Sequence, residues 1–159
     1  MSKKWLTLAL LVLLSVRMTA AQDKSADLAI VVNESSLLDD VSSAELTKIF
    51  KVEKTRSPGG FKYVIAARDS GSPERNAALK GIYHMTDPEY KKFFLQATFA
   101  GTIQVAPKEL TSASSVREFI ASSPGAISYL RASEIDASVK ILKVDGKSPG
   151  DRDYPIKIK

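Results

Sequence analysis

The sequence predicts one α/β domain with a mainly parallel open sheet flanked by helices. Two uninterrupted apolar runs, Leu28-Ala29-Ile30-Val31-Val32 and Tyr63-Val64-Ile65-Ala66-Ala67, are the first indication. Apolarity that is continuous rather than alternating means that both faces of a strand are covered, as in a parallel sheet between helices. The second indication is a capped helical pattern between the two runs, which makes the opening unit strand, helix, strand. The third is that the 159-residue chain has neither an internal repeat nor a long linker, so one domain is expected.

The helix between the runs starts at Ser42-Ser43-Ala44-Glu45, which fits a capping box: Ser42 accepts from the first-turn amides and Glu45 reaches back. Leu46, Ile49 and Phe50 then supply an inward stripe at helical spacing. After the second strand, Gly71 allows a tight turn, Ser72 suits an N-cap and Pro73 the first helical position. A helix over 73–83 follows, with Ala77, Ala78 and Ile82 inward. Thr86-Asp87-Pro88-Glu89 starts another, which places Tyr90, Phe93, Phe94 and Ala97 on one side. The stretch 99–106 carries no clear period. A further helix begins at Ser114 or Ser115, buries Val116, Phe119 and Ile120, and stops at Pro124-Gly125. Ala126 to Leu130 and Val139 to Val144 read as strands, and after a polar turn at 145–151 the segment 154–159 pairs as an edge. Phe50, Phe94, Phe119 and Ile127 are the expected core.

Composition excludes several functions. With no Cys there is no disulfide framework, thiol nucleophile, lipidated cysteine or Cys-ligated metal, and the single His84 has no partner at ligand spacing. No cofactor is expected. The Gly-x-Ser-x-Gly stretch Gly146-Lys147-Ser148-Pro149-Gly150 lies in a polar turn that leads into no helical pattern, so no strand-to-helix turn presents a nucleophilic serine and an enzyme is the least favoured class. Residues 1–21 read as a secretory signal: Lys3 and Lys4 precede the apolar run from Trp5 to Val16, and Thr19-Ala20-Ala21 offers a small-residue cleavage site. The run is short for a membrane span, and a retained anchor is the less favoured alternative. Cleavage after Ala21 leaves a domain over 22–159 without a stable membrane anchor and removes Lys3, Lys4 and Arg17. Twenty basic residues then face 18 acidic ones, a net charge of +2, which gives no bulk drive toward nucleic acid. The expected location is the periplasm.

The segment most able to carry chemistry is Arg68-Asp69-Ser70-Gly71-Ser72-Pro73-Glu74-Arg75, at the carboxyl end of a predicted strand and the start of a helix. That is where open α/β sheets bind ligands. Free amides, the positive helix end and two guanidinium groups together suit an oxyanion, held by Arg68, Ser70, Gly71, Ser72 and Arg75. The alternative is a helix cap with two surface arginines, which Glu74 favours because a first-turn carboxylate already answers the dipole. Tyr90, Phe93, Phe94 and Phe99 read as core rather than as a base-stacking platform.

These motifs resemble the phosphate-binding proteins of bacterial ABC importers, in the type 2 periplasmic-binding-protein superfamily. Ile30-Val31-Val32-Asn33 is similar to the strand crossing between lobes, and Leu46-Thr47-Lys48-Ile49-Phe50-Lys51 to the family's L-x-x-I-F-x-G helix end. Arg68 with Ser72 is similar to the R-x-x-x-S-G-T anion loop, and Pro124-Gly125-Ala126-Ile127-Ser128-Tyr129 to P-G-A-I-G-Y. The resemblance covers most of 28–145, roughly one lobe. It implies a substrate-binding-like, non-enzymatic domain, with phosphate or another small oxyanion and an ABC transporter or envelope protein as partners. The family's S-G-T is Ser72-Pro73-Glu74 here, which exchanges a glycine for proline and a hydroxyl for a carboxylate. The competing expectation is an envelope interaction module that has lost small-anion binding.

Overall fold

The computed structural model describes residues 26–159, so the expected signal segment 1–21 lies outside the described residues. Six strands form one sheet: β1 Leu28–Val32, β2 Asp40–Val41, β3 Val64–Arg68, β4 Lys108–Leu110, β5 Ala126–Arg131 and β6 Lys140–Val144, in the order β2-β6-β1-β5-β3-β4. The pairs β2–β6, β3–β5 and β3–β4 are parallel, while β1 is antiparallel to both β5 and β6. Only β1 therefore runs against the other strands, and β5 separates it from β3. The strand-helix-strand order stands, but its two strands run in opposite directions. Continuous apolarity reports burial of both faces, which β1 has at the sheet centre, and it carries no information on direction.

Helices cover both faces. Leu28, Ile30 and Val32 point into the larger core with Ile65, Ala67, Ile127, Tyr129 and Leu142. That core is closed by α1 Ser43–Phe50, by α2 Pro73–Ala78 with its π-helical continuation Leu79–Tyr83, and by α3 Asp87–Phe99. Val31, Ala126 and Leu130 point the other way, against Val116 and Ile120 of α4 Ala113–Ser122. Alternation along the strands thus divides an unbroken apolar run between two cores.

Ser42 caps α1 by accepting from the Glu45 amide at 3.1 Å, but the Glu45 carboxylate pairs with Lys54 instead of reaching back. The reciprocal capping box is at α3, where Thr86 and Glu89 bond each other's backbone amides. The helix expected from Ser114 or Ser115 begins one or two residues earlier, because Ser112 is the cap and accepts from the Ser115 amide. Phe50, Phe94 and Ile127 are buried as expected. Phe119 is not: Val116 and Ile120 form the inward stripe of α4, and Phe119 sits one position round, half-buried beneath Lys108. Phe93 and Ala97 flank the core rather than fill it, and Phe99, expected in the core, is exposed at the end of α3, beyond the inward stripe of Tyr90 and Phe94.

Gly125 has a steric reason. A Cβ there would stand 1.9 Å from the Lys62 carbonyl oxygen, since its own carbonyl accepts from the Val64 amide where β3 begins. The segment after β6 pairs where expected, through a bridge between Asp27 and Lys157, but it is no surface strand. Tyr154 and Ile156 enter the larger core, and the Tyr154 hydroxyl donates to the Leu28 carbonyl.

Candidate functional site

The five residues of the expected oxyanion site run from Arg68, the last residue of β3, through Ser70, Gly71 and Ser72 of the connecting loop to Arg75 in the first turn of α2. Gly71 adopts φ +87°, the left-handed turn that aims the chain into α2. Ser72 is the N-cap: its Oγ accepts from the Arg75 amide at 3.2 Å and donates to the Asp69 carbonyl at 2.9 Å. Pro73 takes the first helical position, as its fixed φ suits.

Neither arginine is a surface group. The Arg75 side chain is 1% exposed and its guanidinium lies 3.8 Å above the centre of the Tyr90 ring, a cation–π contact. Nη1 donates to the Arg68 carbonyl at 3.2 Å, and Nη2 meets Asp87 Oδ1 at 3.3 Å. The Arg68 side chain is 11% exposed, with Asp69 and Glu134 carboxylates at 3.7 and 4.0 Å, and donates to the Thr111 carbonyl. Its backbone amide donates to the Tyr129 hydroxyl at 3.1 Å, which ties the end of β3 to β5.

Carboxylates also take the serine donors. Ser70 Oγ donates to Asp87 Oδ2 at 2.9 Å, and the Ser70 amide to Glu109 Oε1 on β4 at 3.3 Å. Lys91, one helical turn beyond Asp87, binds the same Oδ2 at 2.6 Å. These neighbours hold Asp87 below the usual carboxylate range, the Lys91 ammonium contributing most, with Ser70 and Arg75 adding to it and partial burial opposing.

Glu74 stands where the resemblance implies a threonine hydroxyl. It is buried, and one of its oxygens accepts from Arg131 Nε at 3.0 Å and Nη2 at 2.8 Å. The departure from S-G-T thus places a carboxylate on Arg131, the last residue of β5.

Asp87, Lys91, Glu109, Tyr90 and Tyr129 were not legible as site residues. Asp87 was visible only as part of a helix start, a role it also fills as the first residue of α3. Around the loop, Arg68, Arg75, Lys91 and Arg131 face Asp69, Glu74, Asp87, Glu109 and Glu134: five negative charges against four positive. Among the described residues, no group of three or more His, Cys, Asp or Glu could hold a metal ion, and no helix is long and apolar enough to cross a membrane. A separate apolar groove of about 180 Å³, lined by Val52, Tyr63, Val64, Val105 and Phe119, lies at the opposite, amino-terminal end of β3.

No protein-family model matches the chain. Solved structures do resemble it. An ABC-type phosphate transport receptor from Vibrio cholerae aligns with a TM-score of 0.63 at 19% identity, over 78% of this chain and 48% of the receptor. A protein from Clostridium perfringens, described as a phosphate ABC transporter substrate-binding protein and crystallised with phosphate bound, aligns at 0.67 and 19%, over 83% and 52%. PstS from Borrelia burgdorferi aligns at 0.63 and 19%, over 84% and 55%. The chain spans about half the length of these structures. It therefore has the fold of part of a phosphate-transporter substrate-binding protein, as its motifs implied.

Proposed function

We propose that the protein is a non-enzymatic, exported domain of the phosphate-receptor fold that works through contacts with an envelope protein, a transporter subunit among the candidates, and does not capture phosphate in its resting state. The observation that carries this is Asp87, whose carboxylate already receives Ser70 Oγ, Arg75 and Lys91, the donors an incoming anion would need. A phosphate approaching the loop meets a surplus of negative charge. One uncompensated carboxylate at contact costs a dianion several kcal/mol at an effective dielectric of about 20. A fold shared with phosphate receptors does not bring their affinity with it, because affinity resides in the loop's donors.

Isothermal titration of the 22–159 protein with inorganic phosphate and with sulfate tests the first half of this reading. No heat up to millimolar ligand is expected, and micromolar binding would overturn it. Chemical cross-linking in the intact envelope tests the second half and should give discrete adducts to another protein. Adducts only to itself would replace the partner by a second copy. Export has its own check: mass spectrometry of the envelope fraction should find Gln22 as the amino terminus, and retained Met1 would contradict cleavage.

A further inference from the structure

The amino-terminal end of β3, remote from the arginine loop, has a different character. Seven large apolar side chains are exposed among the described residues, and four of them, Leu37, Phe61, Val64 and Val105, gather at this end. A turn over 55–63, closed by the Arg56–Lys62 bridge and by the Tyr63 amide on the Thr55 carbonyl, carries Phe61. Gly59 in that turn lies against both the Phe61 ring and Leu37, which a Cβ there would meet at 3.4 and 3.8 Å. Val64 and Val105 continue the patch into the apolar groove beside Phe119. The surrounding charge is basic. The turn and the groove lining hold three charged residues, Arg56, Lys62 and Lys108, and all are cationic. Among the described residues none of the three has a carboxylate within ion-pair reach: Arg56 donates to the Gly60 carbonyl, and the Lys108 ammonium stands 5.6 Å from the centre of the Phe119 ring. Segments 34–37 and 51–54 add Lys51 against Glu34 and Glu53, with Lys54 already held by Glu45, so the excess stays positive.

The groove has a volume of about 180 Å³. That is below the roughly 300–1,000 Å³ of sites that enclose a whole small ligand, and it suits one side chain of leucine or phenylalanine size. A flat lipid surface would leave such a depression unfilled. An apolar pocket with a cationic rim instead suits an apolar anchor whose neighbours are carboxylates. We propose that the envelope partner docks in this groove through an acidic segment, which seats one large apolar side chain between Val105 and Phe119 and turns flanking carboxylates to Arg56, Lys62 and Lys108. The inference rests on the interaction reading and adds to it the surface used and the chemistry of the partner. The arginine loop, with its surplus of negative charge, would repel the same segment.

The test is selection from a displayed library of short random peptides on the purified exported protein, followed by titration of the enriched peptides by fluorescence anisotropy. Enriched sequences should combine a large apolar residue with flanking Asp or Glu, and their binding should weaken as salt rises. Val105→Asp, at a side chain 78% exposed and therefore without consequence for folding, should weaken that binding by about 10-fold or more. The pair Lys62→Glu and Lys108→Glu should do the same. Lys147→Glu makes the same kind of charge change in the exposed turn after β6 and should leave binding unchanged. The inference is overturned if no peptide is enriched, if the enriched peptides are basic or lack an apolar residue, or if Lys147→Glu weakens them as much as the groove variants do. Vesicles of phosphatidylglycerol and phosphatidylethanolamine that retain wild type but not Val105→Asp would reassign the surface to lipid, and a wild-type dimer that Val105→Asp dissociates would replace the partner by a second copy. Discrete cross-linked adducts in the envelope without any enriched peptide remove this inference and leave the interaction reading standing. Absence of every adduct removes the reading on which it rests.

Discussion

Replacing Glu74 by Thr distinguishes two views of the loop. If Glu74 stood beside a ligand, the substitution would remove a like charge, restore a hydroxyl and improve anion binding. The structure gives the carboxylate a different task. Its side chain is 7% exposed and accepts two charge-assisted bonds, at 3.0 and 2.8 Å, from an Arg131 side chain that is 29% exposed. Threonine is too short to replace them. A fully buried pair that loses one partner costs roughly 3–5 kcal/mol, but Arg131 is exposed enough to regain part of its hydration. A loss of about 1–3 kcal/mol is the better figure, the usual cost of removing a hydrogen-bonding partner. Glu74 also stands in the first turn of α2, where a carboxylate favours the helix by about 0.3–1 kcal/mol, so the total lies toward the upper end. Urea unfolding of wild type, Glu74→Thr, Arg131→Met and the double variant measures both the loss and its coupling. The double variant should recover part of the single-variant loss. A Glu74→Thr change below about 0.5 kcal/mol together with tighter phosphate binding would refute this reasoning and put Glu74 back at a ligand.

Ile127→Ala, a truncation in the larger core, should cost about 2–5 kcal/mol by denaturant titration, while Phe119→Ala should cost less than about 2 kcal/mol because its ring is half-exposed on α4. Gly125→Ala should cost more than about 3 kcal/mol or prevent folding, since the added methyl meets the Lys62 carbonyl and β3 must move to admit it. The folded-state pKa of Asp87 lies below its ordinary value of 3.8. The stability it contributes is therefore fully present above that value and is lost as pH falls through the depressed one. Acid unfolding followed from pH 5 to pH 2 should show a shallower stability loss for Asp87→Asn than for wild type, and identical slopes would mean that the Lys91, Ser70 and Arg75 contacts do not hold in solution.

Much of the fold is written locally. Apolar runs, the Ser42 and Ser72 caps and the Pro124-Gly125 stop each depend on residues within one helical turn or one strand, so short windows reveal them. The direction of β1 does not, because a strand buried on both faces has the same apolar run whichever way its neighbours point. The rank of Phe119 was equally hidden. It lies next to Ile120 on α4, and only the angle at which α4 meets β5 and β1 decides which of the two turns inward.

The site follows the same division with a larger consequence. The five residues of the loop are contiguous enough to be read, and its shape is as expected: a left-handed Gly71, a capping Ser72 and Pro73 at the helix start. Whether it offers its donors to solvent depends on residues 12 to 39 positions away, which no local pattern joins to it: Asp87 at Arg75 and Ser70, and Glu109 at the Ser70 amide. Asp87 in particular satisfies two demands at once, the dipole of α3 and the donors of the loop, and the first was a sufficient account of it in the sequence. A donor array can thus keep the spacing of an anion loop while a distant carboxylate decides what reaches it. In this chain the carboxylate that meets the loop's Ser70 hydroxyl and the Arg75 guanidinium is that of Asp87, carried by the first residue of α3.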